Sequence, residues 1–406
     1  MKIKRINYTN FRAKDNLDLV LGERLTLLIG ENGSGKTSIL DALAIGIGAV
    51  LTHLPHVSGI SFKENDIKQA KNRKSPFARV KMETFDGIQW DRTERRDKSK
   101  ATLSQIPPAL GLTQLKFFLD ASVIDPFNRE EDFLLPVFSY YGVSRALLDV
   151  PLRRRGFPGN HTRFEALENT LDANSRFKSF FIWFYNKENE EQRKQKERKD
   201  FDYQLPELEA VRKAIVAVFP GISDPHIMIN PLRFVVRQGD EILDIMQLSD
   251  GYKTLLSLVM DLSIRMALAN PKAQEPLAVP AVVLIDEIDL HLHPDWQRRV
   301  IGDLLVTFPN TQFILTSHSP YIVEAVNNHI QRFLIKDFQI RDQQIKKMAP
   351  LNPKMSKAYF VKKNTEVSLL DPEINLIDDQ LIHPFNELSR VYDRMRDIQW
   401  ENRIHD

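Results

Sequence analysis

A glycine-rich segment near the start of the chain carries the residue types needed to hold a polyphosphate. Its sequence is Gly30-Glu31-Asn32-Gly33-Ser34-Gly35-Lys36-Thr37, which matches every fixed position of the phosphate-binding P-loop. The glycines allow backbone N–H groups to curl around a di- or triphosphate, and the start of the following helix adds partial positive charge. We expect Lys36 to neutralise the β- and γ-phosphates and the Thr37 hydroxyl to ligate Mg²⁺. The alternative is a glycine-rich turn that only resembles a P-loop. If the segment is a P-loop, the predicted nucleotide contacts are Asn32, Gly33, Ser34, Gly35, Lys36, Thr37 and Ser38.

An apolar run that ends in two acids supplies the second half of such a site. Residues 282–285 predict a buried strand, and Asp286 and Glu287 follow it directly. A carboxylate at a strand tip can hold Mg²⁺ through water, and we assign that task to Asp286. Glu287 is placed to polarise a water molecule for attack on the γ-phosphate, as a catalytic base. The alternative is an exposed pair of acids at a strand end.

The elements that must position these residues are also visible in the sequence. Residues 25–29 form an apolar run that predicts a strand before the P-loop, and residues 38–44 predict a helix after it. Strict alternation over 77–85, a turn at Asp86-Gly87 and a return over 88–92 predict a hairpin in an antiparallel layer. Later patterns predict a strand over 136–142, a helix over 249–269, a strand over 281–285, a helix over 297–308 and a strand over 311–316.

Composition limits the class of protein. The 406 residues are 42% hydrophobic and 27% charged, as in an ordinary soluble protein, and the formal charge of +2 argues neither for nor against nucleic acid. The absence of cysteine excludes disulfides, iron–sulfur clusters and cysteine-based zinc sites. The polar N-terminus predicts no signal peptide. The longest apolar stretch, over 277–285, is broken by Pro280 and is too short to cross a membrane, so we expect a cytoplasmic protein.

Three further segments could face a phosphate or a second subunit. Leu248-Ser249-Asp250-Gly251-Tyr252-Lys253 opens the long helix, and its serine hydroxyl and glycine amide could face phosphate oxygens; an ordinary serine N-cap is the alternative. His318 follows a predicted strand within Thr316-Ser317-His318-Ser319-Pro320, although a histidine at a strand end is usually structural. The segment 288–294 contains Asp289 and two alternate histidines, and no further metal ligands cluster near those histidines.

The order of these motifs resembles that of ABC-class ATPases of the RecF/SMC/Rad50-like soluble group, over roughly 1–50 and 245–325. The resemblance implies ATP and Mg²⁺, with Ser249 and Gly251 in a signature motif that meets the γ-phosphate held by another subunit. It also implies that Asp289 lies in a dimer-contacting D-loop and that His318 senses the γ-phosphate. Asn10-Phe11-Arg12 is similar to a motif whose arginine reaches the nucleotide, which makes Arg12 a candidate contact.

Two departures from the family pattern are visible. Asp250 stands where transporters usually carry glycine, and this departure matches the soluble relatives better than the transporters. The family's Q-loop should lie near residues 140–142, where no glutamine is found, so the residue that bridges to Mg²⁺ and the attacking water is open. A transporter ATPase subunit is therefore disfavoured, and no membrane partner is expected.

The later motifs resemble a narrower bacterial group. The combination of residues 248–252, 285–297 and 316–320 is similar to ATPase subunits of Septu-type anti-phage systems, and more distantly to PARIS-type ATPases. The resemblance implies an α/β P-loop NTPase fold, with an ABC-type nucleotide-binding domain of mixed sheet plus antiparallel β layer and a helical insertion. It further implies a homo-oligomer, built on an ATP-sandwich dimer, and a separate nuclease or effector subunit. A RecF-like DNA repair ATPase without a dedicated nuclease is the alternative.

The chain divides into four predicted parts. Residues 1–142 and 246–330 form the two halves of the ATPase head, 143–245 a helical insertion and 331–406 a C-terminal extension. Residues 187–200 lack apolar side chains and predict a solvated helix or hairpin arm, and a polar helix is predicted near 385–404. Basic clusters at 68–74 and Arg153-Arg154-Arg155 could contact DNA or RNA, or could be ordinary surface.

Overall fold

The computed structural model describes residues 1–70, 73–143, 162–172, 177–362, 366–370 and 376–377. The strands are β1 Ile3–Phe11, β2 Lys14–Val20, β3 Leu25–Ile29, β4 Gln69–Ala70, β5 Arg73–Lys74, β6 Phe77–Thr84, β7 Gln89–Arg95, β8 Val137–Tyr141, β9 Ile222–Ile229, β10 Leu232–Gln238, β11 Glu241–Asp244, β12 Ala281–Ile285, β13 Thr311–Ser317, β14 Ser356–Val361 and β15 Glu366–Ser368. The helices are α1 Lys36–His53, α2 Lys100–Leu103, α3 Thr113–Leu119, α4 Asp125–Asn128, α5 Phe177–Arg198, α6 Pro206–Val218, α7 Asp250–Ala269, α8 Pro294–Thr307, α9 Pro320–Leu334 and α10 Gln343–Lys347.

A six-stranded sheet forms the centre of the molecule, in the order β15-β14-β3-β13-β12-β8. The five strands from β14 to β8 run parallel, and β15 pairs antiparallel with β14. β3 and β12 are apolar runs buried along their whole length, as expected for parallel strands covered on both faces. Because the strands are parallel, the segments that follow β3, β12, β13 and β8 all begin at one edge of the sheet.

An antiparallel sheet, ordered β2-β1-β6-β7, packs against α1. Its alternating strands turn Ile6, Met82 and Trp90 inward, and Met82 pairs with both other residues across the strands. The indole Nε1 of Trp90 donates to the carbonyl of Gly46 on α1 at 2.9 Å. A Cβ on Gly46 would lie 2.6 Å from the Met82 side chain, so the helix approaches this closely because it has glycine there. The predicted hairpin and antiparallel layer are confirmed.

The insertion contains a sheet as well as helices. Its described residues form α5 and α6 and an antiparallel meander, ordered β11-β10-β9, over 222–244. The expectation of a helical insertion is therefore incomplete. The apolar residues of β10 are buried by packing against other elements, and the local sequence does not reveal that packing. The predicted helix over 187–200 corresponds to the last part of α5 and the two residues after it, but it is not solvated throughout, because Glu191 is buried.

An aromatic cluster joins the insertion, called the lobe below, to the helices α7 and α8. Phe219 follows α6, Tyr252 lies in the first turn of α7, and Trp296 lies in the first turn of α8. The ring centroids of Tyr252 and Trp296 are 4.7 Å apart, and those of Phe219 and Trp296 are 5.4 Å apart. The beginnings of α7 and α8 are thus packed together against the end of α6.

The chain returns to the central sheet after residue 330. β14, which we expected in a C-terminal extension, pairs in parallel with β3 beside the P-loop strand. The four-part division itself stays a prediction. Residues 71–72, Arg153-Arg154-Arg155 and the predicted helix near 385–404 lie outside the described residues. Each helix in the described ranges is too short or too polar to cross a bilayer.

Candidate nucleotide-binding site

The P-loop connects the end of β3 to the start of α1. Gly33 and Gly35 have φ angles of 76° and 104°, left-handed values that favour glycine, and Gly35 occupies the N-cap position of α1. The Lys36 ammonium donates to the backbone carbonyls of Gly30 at 2.8 Å and Glu31 at 3.0 Å. Ser34 Oγ is buried and has no hydrogen-bond partner among the described residues. The loop therefore contains the cation, the open hydroxyl and the helix start that a phosphate group requires.

Burial controls the electrostatics of the P-loop lysine. Lys36 is 5% exposed, and burial lowers the pKa of its ammonium. The carboxylates of Asp286, Glu287 and Asp289 oppose this shift and help to keep the group charged. Asp286 and Glu287 at the strand end, and Asp289 in the segment that follows, therefore share one electrostatic environment with the P-loop cation.

Asp286 is joined directly to the P-loop. Its Oδ2 accepts a hydrogen bond from Thr37 Oγ1 at 2.7 Å, although the two residues are 249 positions apart. Its Oδ1 accepts from Thr316 Oγ1 at 2.6 Å, and the aspartate is 3% exposed. A hydroxyl and a carboxylate held together are oxygen ligands of the kind that Mg²⁺ prefers, so these residues fit the expected ion.

Glu287 is half-buried and has an unusual backbone conformation. Its φ of 49° is left-handed, a region that costs free energy for a residue with a Cβ and that clusters at functional sites. Its N–H donates to Thr316 Oγ1 at 2.7 Å, and its carbonyl accepts from the Leu290 N–H at 2.9 Å. Thr316 thereby connects the strand-end aspartate to the candidate base.

Arg12 lies beside the first turns of α1. Its Nη1 contacts Asp41 Oδ2 at 2.6 Å and Ser38 Oγ at 3.5 Å, and its Nε donates to Asp66 Oδ1 at 2.9 Å. Burial alone would lower the pKa of Arg12, but the two carboxylates raise it overall. Both carboxylates hold the guanidinium next to the P-loop helix, and its contact with nucleotide stays a prediction.

The predicted signature segment borders the loop over 288–293, the predicted D-loop, of its own chain. Ser249 occupies the N-cap position of α7 but is exposed, and its side chain makes no capping hydrogen bond. A Cβ on Gly251 would lie 2.3 Å from the carbonyl oxygen of His291, so only glycine permits this contact. Asp289 Oδ1 is buried without a hydrogen-bond partner in the described part of the chain. The start of α7, which Ser249 caps, is thus in direct contact with this loop.

His318 follows β13 and is half-buried. Only His318 and Ser319 separate β13 from α9, and the Ser319 N–H donates to Ser317 Oγ at 2.9 Å. Of the two alternate histidines, His293 lies at the N-cap of α8, where its Nδ1 accepts from the Asp295 N–H at 3.4 Å. Within the described ranges, no group of three or more His, Asp or Glu residues is arranged to hold a metal ion.

Three residues near this site had no role assigned to them from the sequence. Lys14, at the start of β2, is 8% exposed, and its Cε lies 3.5 Å from where a Gly35 Cβ would be. Burial lowers the pKa of this ammonium. Tyr140, where the family's glutamine was sought, donates from its hydroxyl to Asp41 Oδ1 at 2.9 Å, and burial raises its pKa. In the sequence Thr316 looks like any other strand residue. Only its two side-chain hydrogen bonds, to Asp286 and from the Glu287 N–H, show that it belongs to the site.

Comparison with known proteins supports the expected class. A family model described as AAA domain, putative AbiEii toxin, Type IV TA system matches residues 25–324. Retron Ec83 probable ATPase from Escherichia coli is 28% identical over 399 residues, which cover 81% of this chain and 70% of that protein. Septu protein PtuA from Bacillus mycoides is 28% identical over 326 residues, which cover 78% of this chain and 38% of that protein. The resemblance to Septu-type ATPases is thereby confirmed.

Among solved structures, an SMC head bound to the C-terminal winged-helix domain of ScpA aligns with a TM-score of 0.44 and 15% identity, covering 92% of this chain and 99% of that one. The family match spans the P-loop, the acidic strand end, the D-loop segment and His318. The predicted ATPase domain is therefore confirmed, and the chain belongs to the AAA-domain family described as putative AbiEii toxin, type IV TA system.

Proposed function

We propose that this protein binds ATP with Mg²⁺, hydrolyses it in composite sites between two copies, and regulates a separate nuclease or effector in anti-phage defence. The observation that carries the proposal is the chain of hydrogen bonds from Thr37 through Asp286 to Thr316 and the backbone of Glu287. It connects the phosphate-binding loop, a metal-type carboxylate and a candidate base at one edge of the sheet.

The residues of the P-loop bind the phosphates. Lys36 exchanges the carbonyls of Gly30 and Glu31 for the β- and γ-phosphate oxygens, because a charged acceptor competes well for a buried ammonium. The backbone N–H groups over 33–37 and the Ser34 hydroxyl supply the remaining donors. Lys14 adds positive charge beside the loop, and Arg12 is held next to the P-loop helix by its two carboxylates.

Thr37 and Asp286 would hold Mg²⁺, which neutralises charge on the phosphate oxygens when it is bound. Glu287 orients the attacking water and accepts its proton. His318 lies at the end of the neighbouring strand β13, where its side chain would donate a hydrogen bond to the γ-phosphate. Residues over 140–142 offer no glutamine for the contact made by the family's Q-loop.

The second copy supplies Ser249 and Gly251. The exposed Ser249 hydroxyl and the unused N–H groups at the start of α7 form a donor surface for phosphate oxygens. Asp289 belongs to the same surface through the contact between Gly251 and the D-loop. The sandwich therefore pairs the P-loop of each copy with the signature of the other.

The proposed role in defence rests on the relatives named for a retron and for Septu. The lobe over 177–244 presents a sheet and two helices to which an effector subunit can bind. Contact with DNA or RNA gains less support, because Lys68 is paired with Asp15 at 2.5 Å and Lys74 with Glu64 at 3.2 Å. A cytoplasmic location is part of the same proposal.

Mixing two inactive variants tests the composite site. Lys36→Ala removes the phosphate cation, and Ser249→Arg blocks the signature, so each variant alone should lose nearly all ATP hydrolysis. In an equal mixture half of the dimers combine both variants, and each such dimer retains one intact P-loop opposite one intact signature. We expect roughly a quarter of the wild-type rate to return.

Two controls make this result decisive. Ser223→Arg places the same side chain at an exposed position of β9 and should leave hydrolysis unchanged. Ser249→Arg should still bind a fluorescent ATP analogue through its own P-loop. If the mixture stays inactive although Ser249→Arg binds nucleotide, the composite site is wrong. If the wild-type protein neither binds nor hydrolyses ATP, the whole proposal fails.

A further inference from the structure

Gln297 links two loops that border the catalytic cleft. It lies in the first turns of α8, with its N–H bonded to the His293 carbonyl at 3.1 Å. Its side-chain Nε2 donates to the carbonyl oxygen of Leu292 at 2.7 Å, and its Oε1 accepts from Ser319 Oγ. A neutral amide can both donate and accept, and both functions are used here.

Each partner of Gln297 lies in a loop that carries or directly follows a candidate catalytic residue. Leu292 lies near the end of the loop 288–293, which begins immediately after Glu287. Ser319 follows His318 directly, is buried, and also accepts from the Tyr321 N–H at 3.1 Å at the N-cap of α9. Because the loop between β13 and α9 has two residues, a bond that fixes Ser319 also fixes the backbone of His318.

The loop 288–293 is held from its other side as well. The start of α7 reaches it through Gly251, whose missing Cβ makes room for the His291 carbonyl. The Leu292 N–H donates to the Asp289 carbonyl at 3.1 Å, which closes a turn within the loop. The D-loop therefore has two lateral supports, one from the signature helix and one from Gln297.

We propose that Gln297 is a positioning residue that holds the D-loop and the loop of His318 in register. Its amide sets the separation between the segment after Glu287 and the segment that carries His318, so that both groups face the γ-phosphate together. The inference rests on the proposed ATP hydrolysis. It assigns Gln297 no contact with nucleotide, since its hydrogen bonds go to Leu292 and Ser319.

The isosteric variant Gln297→Glu tests this directly. The carboxylate keeps the acceptor for Ser319 but replaces the donor to Leu292 with a second acceptor that faces a carbonyl oxygen. We expect kcat at pH 8 to fall about tenfold, because small displacements of catalytic groups are costly, with an unchanged KM for ATP. As the pH falls and the new acid becomes protonated, its O–H can donate to Leu292, so the ratio of variant to wild-type kcat should rise towards one.

Three further measurements distinguish positioning from general damage. Gln297→Met has a similar length without either hydrogen bond, so it should lose kcat without any recovery at low pH. Arg298→Gln, at an exposed neighbouring position of α8, should behave as wild type. Hydrogen exchange without nucleotide should be faster over 288–293 in Gln297→Glu, while the midpoint of thermal unfolding changes little.

The outcomes separate this inference from the proposed function. Wild-type kcat in Gln297→Glu at every pH, or a loss of kcat without faster exchange over 288–293, overturns the role of Gln297. A uniform loss of kcat that no pH restores, accompanied by a large drop in the unfolding midpoint, overturns it too. If exchange responds as expected but the wild-type protein does not hydrolyse ATP, the link between the loops stands and the proposed function falls.

Discussion

Carboxylates are buried in two regions, which stabilise them differently. One region is the edge of the central sheet where the P-loop meets Asp286, called the nucleotide edge below, and the other is the lobe over 177–244. Asp286 accepts from the neutral hydroxyls of Thr37 and Thr316. Glu191 of α5 is matched by the Arg212 guanidinium at 2.8 Å and by the Leu205 N–H at 2.7 Å. A carboxylate matched by arginine holds structure, whereas hydroxyls can rotate away and leave the carboxylate available to a cation.

Glu188 shows the cost of the arrangement in the lobe. It shares Arg212 with Glu191, at a longer distance of 3.5 Å, and accepts from the Ile227 N–H of β9 at 3.2 Å. Burial raises the pKa of its carboxyl to about 7. One arginine thus joins α5, α6 and β9 through two acids. Substitutions at the nucleotide edge should therefore change chemistry, and substitutions at Arg212 should change stability.

The largest effect is expected for Glu287→Gln. Removal of the general base should lower ATP hydrolysis by about 10²- to 10⁴-fold, with ATP still bound and the dimer retained. Steady-state phosphate release, nucleotide binding and light scattering measure these three properties. Glu241→Gln, an exposed change on β11, is the matched control. Hydrolysis at the wild-type rate in Glu287→Gln would show that another residue is the base.

Arg212→Met should act on stability instead. The variant leaves Glu188 and Glu191 buried without their cation, which we expect to lower the free energy of unfolding by about 3 kcal/mol. Urea denaturation followed by circular dichroism measures the loss, and ATP affinity at low temperature should stay unchanged. Lys213→Met, at the exposed neighbouring position of α6, should have little effect. An equal loss in both variants would contradict the role of Arg212.

Glu188→Gln has the smallest expected effect, and it depends on pH. The folded-state pKa is raised, so the protonated carboxyl contributes stability below about pH 4.5 that is lost as the pH rises through about 7. Glutamine stays neutral, so the stability of the variant relative to wild type should rise by about 2 kcal/mol between pH 5.5 and pH 8.

Glu190 provides a control of opposite sign for this measurement. Burial alone would raise the pKa of Glu190, but hydrogen bonds from Lys194 and Lys187 lower it overall. Its ionised form therefore stabilises the fold at neutral pH, and Glu190→Gln should show no gain at pH 8. Thermal unfolding of all three proteins across this pH range is sufficient. A parallel pH dependence for Glu188→Gln and wild type would contradict the burial of an ionisable group at 188.

The nucleotide edge was largely predictable because its chemistry is local. The P-loop has fixed spacing, and Asp286 ends an apolar run, so parallel topology alone brings them to one edge. Lys14, Tyr140 and Thr316 could not be predicted in the same way. A lysine or a hydroxyl in a strand has no spacing signature, and its role depends on what packs against it.

The lobe and the last strands were less predictable for a related reason. β10 has a short apolar centre that fits a strand or a helix, and only its neighbours β9 and β11 decide the outcome. β14 pairs with β3 although more than 300 residues separate them, and no local pattern specifies a parallel partner. The burial of Glu188 and Glu191 within a charged stretch depends equally on Arg212, which lies on a different helix.

The pairing of β14 with β3 has a mechanical consequence. Phe360 pairs with Ile29, and a Cβ on Gly30 would lie 2.4 Å from the carbonyl oxygen of Val361. β14 therefore ends against the wall of the nucleotide cleft, and β15 pairs back along it from Glu366. A displacement of this pair of strands would therefore act directly on the first residue of the P-loop, without passing through the lobe.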